Sequence, residues 1–325
     1  TIHDGEVLVP AALTGADSGR LYRYQLAGGA PLDPVDLTGP VTDGLAVGGD
    51  GTIYAAATPL QAVAEGGVTW SYPMDGNGKT GSNAAIGPSG TIYVGGRGLT
   101  EHNLHAVNPD GSRKWAHDVG ASIIDPIAVD DEERIYALTA DGVVVAYEAS
   151  GELAWSIQLP SFSSGGGIVI GPDRTIYVGT IGTTPGSYEG EHLFAVREGE
   201  GGQGAIVWKK KVGLSWIPTT PALSSGGTLY VSDFCKTLTA VRASDGEELW
   251  SYELPEVAGE DLCASFSAPA IGPDGRVYVW NGGRPGGEGA GLYVFRGDGT
   301  GPADSPWPQE GGDPAHTGRV APGAR

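Results

Sequence analysis

The sequence predicts an all-β chain folded as a seven-bladed β-propeller with four-stranded antiparallel blades, and three observations predict it. A short phrase recurs along the chain: GTIYAA at 51–56, GTIYVG at 90–95, RIYAL at 134–138, TIYVG at 175–179, TLYVS at 228–232 and RVYVW at 276–280. Its tyrosines, Tyr54, Tyr93, Tyr136, Tyr177, Tyr230 and Tyr278, lie 39, 43, 41, 53 and 48 residues apart, a period that suits one four-stranded blade. The composition agrees, because 56 Gly and 23 Pro in a chain that is still 40% hydrophobic imply many turns between short buried strands.

Each element follows from its local residues. The recurring phrase is strand B. It follows a turn such as GGDG (48–51), GPSG (87–90) or GPDG (272–275), which in turn follows a small apolar run such as PIAV (126–129). A run, a Gly/Pro/Asp turn and a tyrosine strand make a hairpin of strands A and B. Strand C is the LxAV phrase or its variants, from Leu60 to Val63, Leu104 to Val107, Val144 to Tyr147, Leu193 to Val196, Leu238 to Val241 and Leu292 to Phe295. After a polar turn such as NPDG (108–111), strand D carries a tryptophan: Trp70, Trp115, Trp155, Trp208, Trp250 and Trp307.

The first blade is degenerate. GEVLV (5–9) stands for strand B, LYRY (21–24) for strand C and PVDL (34–37) for strand D, without either signature aromatic. Counting strands B then gives seven, and residues 1–325 read as a single domain. The tail after Trp307, GGDPAHTGRVA, is expected to supply strand A of blade 1 by pairing with residues 5–9, closing the ring and covering its open edges.

These phrases resemble the PQQ-like repeat family, which includes outer-membrane assembly propeller lipoproteins and quinoprotein alcohol dehydrogenases. AVNPDGSRKW (106–115), AYEASGELAW (146–155) and AVRASDGEELW (240–250) are similar to its tryptophan-docking phrase, and SPWPQEGGDPAHTGR (305–319) is similar to a segment of its secreted members. The resemblance implies that the tryptophans lock neighbouring blades together. The dehydrogenases of that family have eight blades, a vicinal cysteine pair and a calcium or lanthanide site. Seven blades and no adjacent cysteines place this chain nearer the non-catalytic secreted and assembly-factor propellers, with no cofactor and no PQQ expected. A metal in the central channel would draw ligands from several blades and leave no spacing to read.

A formal charge of −20 argues against nucleic acid or an anionic membrane surface as partner. No run approaches the roughly 20 apolar residues of a membrane-spanning helix. The start at Thr1 reads as a mature chain whose signal peptide is gone, so a secreted, periplasmic or cell-surface monomer is expected. Two cysteines outside any CxxC spacing argue against zinc.

In an A-B-C-D blade the B–C and D–A loops share one face, and the long segments all fall there: 95–103, 179–192 and 280–291 between strands B and C, with 72–84, 116–125, 157–167, 212–220 and 253–267 between blades. Long loops on a rigid scaffold are where binding and catalysis concentrate. Cys235 and Cys263 both fall on this face, where a disulfide would pin the 253–267 loop; the alternative is two free thiols. Phe162, Tyr188, Trp216, Phe234, Trp280 and Arg284 are the candidate ligand-binding groups. Phe266 and His192 share the face. The DDEE run at 130–133 is read as a solvated turn, not a cation site.

No GxSxG elbow, HExxH, Walker loop or dinucleotide fingerprint is present. The favoured expectation is therefore a non-catalytic binding or scaffold module for a protein, peptide or glycan. The alternative is a carbohydrate-active enzyme, a lyase or hydrolase with groups from several blades. As a lyase it would draw on His102 or His117, with Tyr188, for proton transfer and on Arg97 to neutralise a uronate carboxylate. The acidity of the chain counts against a polyanionic substrate.

Overall fold

The structure, a computed structural model, describes residues 1–13, 18–64, 66–75, 79–97, 102–162, 166–182, 192–215, 217–234, 237–255, 267–281, 291–313 and 316–320. The fold is a seven-bladed β-propeller of antiparallel sheets, with a single short 3-10 turn at Glu200–Gly202 as its only helix among the described residues. The backbone clusters into two compact units. One holds residues 1–139, 146–153 and 311–322, the other 140–145, 154–310 and 323–325. The sheet of blade 4, with strands at Ala128–Val129, Ile135–Leu138, Val143–Tyr147 and Leu153–Gln158, contributes to both.

In the first unit, blade 2 shows why the repeat has its sequence. Strand B (Ile53–Ala57), strand C (Leu60–Ala64) and strand D (Gly67–Tyr72) set Tyr54, Ala62 and Trp70 in one row across the sheet. The alanine has no side chain beyond Cβ, so the tyrosine and indole rings meet over it with centroids 5.8 Å apart. Blade 3 repeats the row with Tyr93, Ala106 and Trp115, again at 5.8 Å. A register shift directly follows the alanine in both blades.

Each indole then reaches the next blade. Trp70 Nε1 donates to the Pro109 carbonyl at 3.0 Å, and Trp115 Nε1 donates to Ala149 at 3.1 Å. Gly111, at φ +86°, has the Trp70 ring so close that an added Cβ would lie 2.8 Å from it. That turn needs glycine both for its left-handed backbone and for the seat of the indole.

The second unit uses the same device. Tyr177, Ala195 and Trp208 form a row in blade 5, and Tyr230, Ala240 and Trp250 form one in blade 6, with ring pairs at 5.9 and 6.0 Å. Trp208 Nε1 donates to Ala243 at 2.8 Å, while Trp250 stacks on Phe295 of blade 7 at 6.2 Å. The tryptophans therefore lock blades within each unit, as the resemblance implied.

The two ends of the chain depart from the sequence-based expectation. Strand A of blade 1 is Ile2–His3, whose Ile2 pairs with Val7 and His3 with Glu6, so the C-terminal tail is not the partner of residues 5–9. The tail does meet the N-terminus, through a 3.1 Å bond from Thr1 Oγ1 to the His316 carbonyl. Its backbone otherwise follows the A strands of several blades. In the first unit Thr317 accepts from Val47, Gly318 accepts from Ile86, and Ile86 bridges Arg319 in parallel. In the second unit Trp307 accepts from Ile170, Pro308 accepts from Leu223, and Gln309 Oε1 accepts from Ile271.

Trp307 accordingly lies in this tail, 2% exposed, instead of in an outer strand of blade 7. Blade 7 has three strands among the described residues: Ala270–Ile271, Arg276–Asn281 and Gly291–Arg296. An A-strand edge leaves backbone groups unpaired, and the tail satisfies them where a local outer strand could not.

Candidate binding surface

The turn at 130–133 is in place but only half solvated: Asp131 and Glu132 are exposed, whereas Asp130 and Glu133 are buried. Asp130 is fully buried and caps the turn, accepting from the Glu132 and Arg134 backbone N–H groups and from Tyr136 Oη. Glu133, at φ +65° where blades 2, 3, 6 and 7 have glycine and blade 5 has Arg174, is 8% exposed and accepts from Ser89 Oγ at 2.5 Å and Tyr93 Oη at 2.8 Å. Burial alone would raise its carboxyl. The bonds from Ser89 and Tyr93 win and hold it below its ordinary value. This run is a clamp between blades 3 and 4 within the first unit.

The lyase candidates of the first unit stand apart in geometry. His102 Nδ1 lies 2.6 Å from Asp75 Oδ2, and Asp75 also binds the Arg113 guanidinium. Arg113 Nε donates to Tyr72 Oη at 2.9 Å, and that hydroxyl is 3.1 Å from Nδ1 of the fully buried His105. Burial pushes the His105 imidazole below its ordinary value and the Tyr72 phenol above its own. Asp75 is held low by Arg113 and His102 against the opposing effect of burial. This network ties strand D of blade 2 to blade 3.

His117 faces the other way from blade 3. Its ring stacks on Tyr147 of blade 4, 5.1 Å between centroids at 15°, and leans on Trp115. Arg97 ends strand B of blade 3, exposed, opposite Lys79. The two histidines thus address opposite sides of one sheet, so they are alternatives and not members of one cluster. Among the described residues no three His, Cys, Asp or Glu side chains converge as metal ligands.

In the second unit Phe162 is half-buried, with its carbonyl accepting from Ile181, and Phe234 is half-buried beside Asp233. Asp233 is itself 2% exposed and shapes the loop before it, accepting from the Leu214 and Ser215 N–H groups at 2.6 and 3.1 Å. His192 is fully buried. Tyr188, Trp216, Arg284, Phe266, Cys235 and Cys263 lie outside the described residues, and with them the expected disulfide.

Trp280 is the candidate that stands open. It is 49% exposed at the end of strand B of blade 7 and pairs across the sheet with Leu292, 60% exposed. Val294, 51% exposed, pairs with Tyr278 one step along on the same face. The opposite face of this sheet is closed by Tyr293 and Phe295, which pack into the core of blades 6 and 7. Where the apolar face ends, Val294, Arg276 and Arg296 line a cavity of about 460 Å³. The sequence held one signal for this. The alanine of the Tyr–Ala–Trp row is Val294 in blade 7, a larger residue that fits only where no indole closes over it.

A family model described as outer membrane protein assembly factor BamB matches residues 60–201 and 191–292. The chain belongs to this family of PQQ-like β-propellers. Solved structures agree on the fold. BamB from Moraxella catarrhalis aligns with a TM-score of 0.59 at 15% identity, over 90% of this chain and 92% of that one. Virginiamycin B lyase from Staphylococcus aureus aligns at 0.60 and 13%, over 90% and 89%. BBS1N, solved in complex with ARL6DN, aligns at 0.59 and 14%, over 90% and 92%. No curated protein sequence matches the chain. At these identities the solved structures speak for the fold alone, since one fold hosts many functions. No helix among the described residues is long and apolar enough to cross a membrane.

Proposed function

We propose that the chain is an exported, non-catalytic binding module that holds an extended protein segment against blade 7. The observation that carries this reading is the strip formed by Trp280, Leu292 and Val294, each about half or more exposed, beside the 460 Å³ cavity. Contiguous exposed apolar surface on a folded protein marks an interaction site, whereas single exposed apolar residues do not. Exposed tryptophan is also the side chain most often found to dominate binding energy. A six-residue strand such as Gly291–Arg296 spans roughly 20 Å, enough for five or six residues of an extended partner.

The family description supports a place in assembly outside the cytoplasm, and BBS1N, seen with a protein partner, offers an analogy at the level of fold. A photo-crosslinking residue at position 280 or 292 should capture a discrete protein in the cell that makes this chain, and one at exposed Leu153 should not. Equal capture at all three positions, or none at 280 and 292 together with turnover of a uronate polysaccharide, would replace the binding reading with the enzymatic one.

A further inference from the structure

We infer that strand C of blade 7, Gly291–Arg296, is an open edge that takes an antiparallel fourth strand from a partner protein, with one acidic residue followed at alternate positions by two apolar ones. The inference rests on the blade 7 reading and deepens it, from an apolar strip to a mode of binding. Blades 1 to 6 each cover strand C with a strand D, whereas blade 7 has three strands among the described residues.

The register says which backbone groups are left open. The Arg276 carbonyl accepts from Gly272 and the Trp280 carbonyl accepts from Ser267, so these residues of strand B turn their backbone groups toward the strand A side. Backbone groups alternate sides along a strand, so Val277 and Val279 turn theirs toward strand C, where Phe295 and Tyr293 are their partners in register. Leu292, Val294 and Arg296 then point their N–H and C=O groups outward. None of these groups meets a hydrogen-bond partner among the described residues. In blade 5 the position of Val294 is held by Ala195, which pairs with Trp208 of strand D. An edge of unpaired donors and acceptors is a template for another strand.

The side chains choose the occupant. Leu292, Val294 and Arg296 stand exposed on one face, so a partner strand sets its residues opposite them at every second position. In antiparallel order the residue opposite Arg296 comes first, and those opposite Val294 and Leu292 follow in turn. Arg296 lies directly across from Arg276, a like-charge pair that a sheet disfavours. Asp274 answers Arg276, at 2.9 Å, and Asp298 is taken up by Ser224 and Thr300. Arg296 has no ion pair among the described residues, and the cavity of about 460 Å³ that both arginines line gives a carboxylate room beside it. The charge of −20 on the whole chain opposes a strongly acidic segment, which confines the partner to a single acid at this position.

The test uses the full chain and acetyl-Thr-Glu-Thr-Val-Thr-Leu-Thr amide, with binding read by calorimetry. The peptide should bind. N-methylation of its valine, whose N–H would face Val294, should weaken binding about 10-fold or more, whereas N-methylation of the threonine that follows, whose N–H points away, should change it by less than about 2-fold. Arg296→Glu, a change at an exposed side chain, should weaken binding about 5-fold and strengthen binding of the peptide in which lysine replaces glutamate. No binding to the native chain, equal effects of the two N-methyl groups, or no reversal of preference in Arg296→Glu would overturn the inference. Capture at positions 280 and 292 alongside any of those results would leave the strip as a side-chain site and remove only the added strand.

Discussion

Blade 3 and blade 1 are built on the same four-strand plan in the same unit, yet they meet their neighbours differently. In blade 3 Trp115 stands at the junction of three rings, 5.8 Å from Tyr93, 6.1 Å from Tyr147 and 5.1 Å from His117, with its N–H bonded to Ala149. In blade 1 the corresponding face carries Leu8, Leu21, Val35 and Leu37, which join Val41, Leu45, Val63 and Ile53 of blade 2 in one aliphatic cluster with no ring between them. The difference teaches what the repeat signature is for. The tyrosine, alanine, tryptophan and turn glycine form one device that seals a blade seam, and a blade without it closes its seam with aliphatic side chains alone, with a cavity of about 440 Å³ at the rim beside His3, Asp4, Glu6, Arg23 and Asp50.

Four substitutions would break or sharpen that contrast. Trp115→Ala should have the largest effect, about 3 kcal/mol, at the low end for a large aromatic because the indole is half-buried. Chemical denaturation would measure it. Gly111→Ala should cost about 2 kcal/mol, since the new Cβ meets the Trp70 ring on a backbone at φ +86°. Val35→Ala, which deletes two buried methyl groups from the cluster between blades 1 and 2, should cost about 2 kcal/mol. Gly5→Ala in blade 1, at φ +74° with open space around it, should cost only about 1 kcal/mol from backbone strain. A Gly5→Ala loss as large as that of Gly111→Ala would remove the indole seat from the explanation.

The smallest effect concerns acid. The Glu133 carboxyl is depressed in the folded chain, so its contribution is fully present above pH about 4.5 and is lost as pH falls through its lower folded value. Glu133→Gln should lower stability at neutral pH and flatten the stability profile below pH about 4.5. A profile as steep as that of the native chain would show that the clamp from blade 4 to Ser89 and Tyr93 does not couple to folding.

What the sequence made legible was whatever a single blade decides for itself. Tyr54 to Tyr278 mark every full strand B because the signal is local, and turn glycines such as Gly111 sit where the backbone needs positive φ. The tail was misread because its partners, Ile86 in one unit and Ile170 and Leu223 in the other, belong to different blades, and backbone pairing leaves no mark on side-chain pattern. Glu133 was misread for the same reason, its donors being 40 and 44 residues away. Of the candidate surface, Trp280 was visible as an aromatic at a loop entrance. Leu292 and Val294 were not, since LYVF reads as one more buried strand C until the absence of an indole over Val294 is known.

The most direct test of the central claim is the affinity of the purified chain for the protein captured at position 280, measured for Leu292→Asp against Leu153→Asp. Leu292 and Leu153 are both exposed, so neither change should unfold the chain. The binding account predicts at least a tenfold loss, about 1.4 kcal/mol, for Leu292→Asp alone. Equal affinity of the two variants would contradict it.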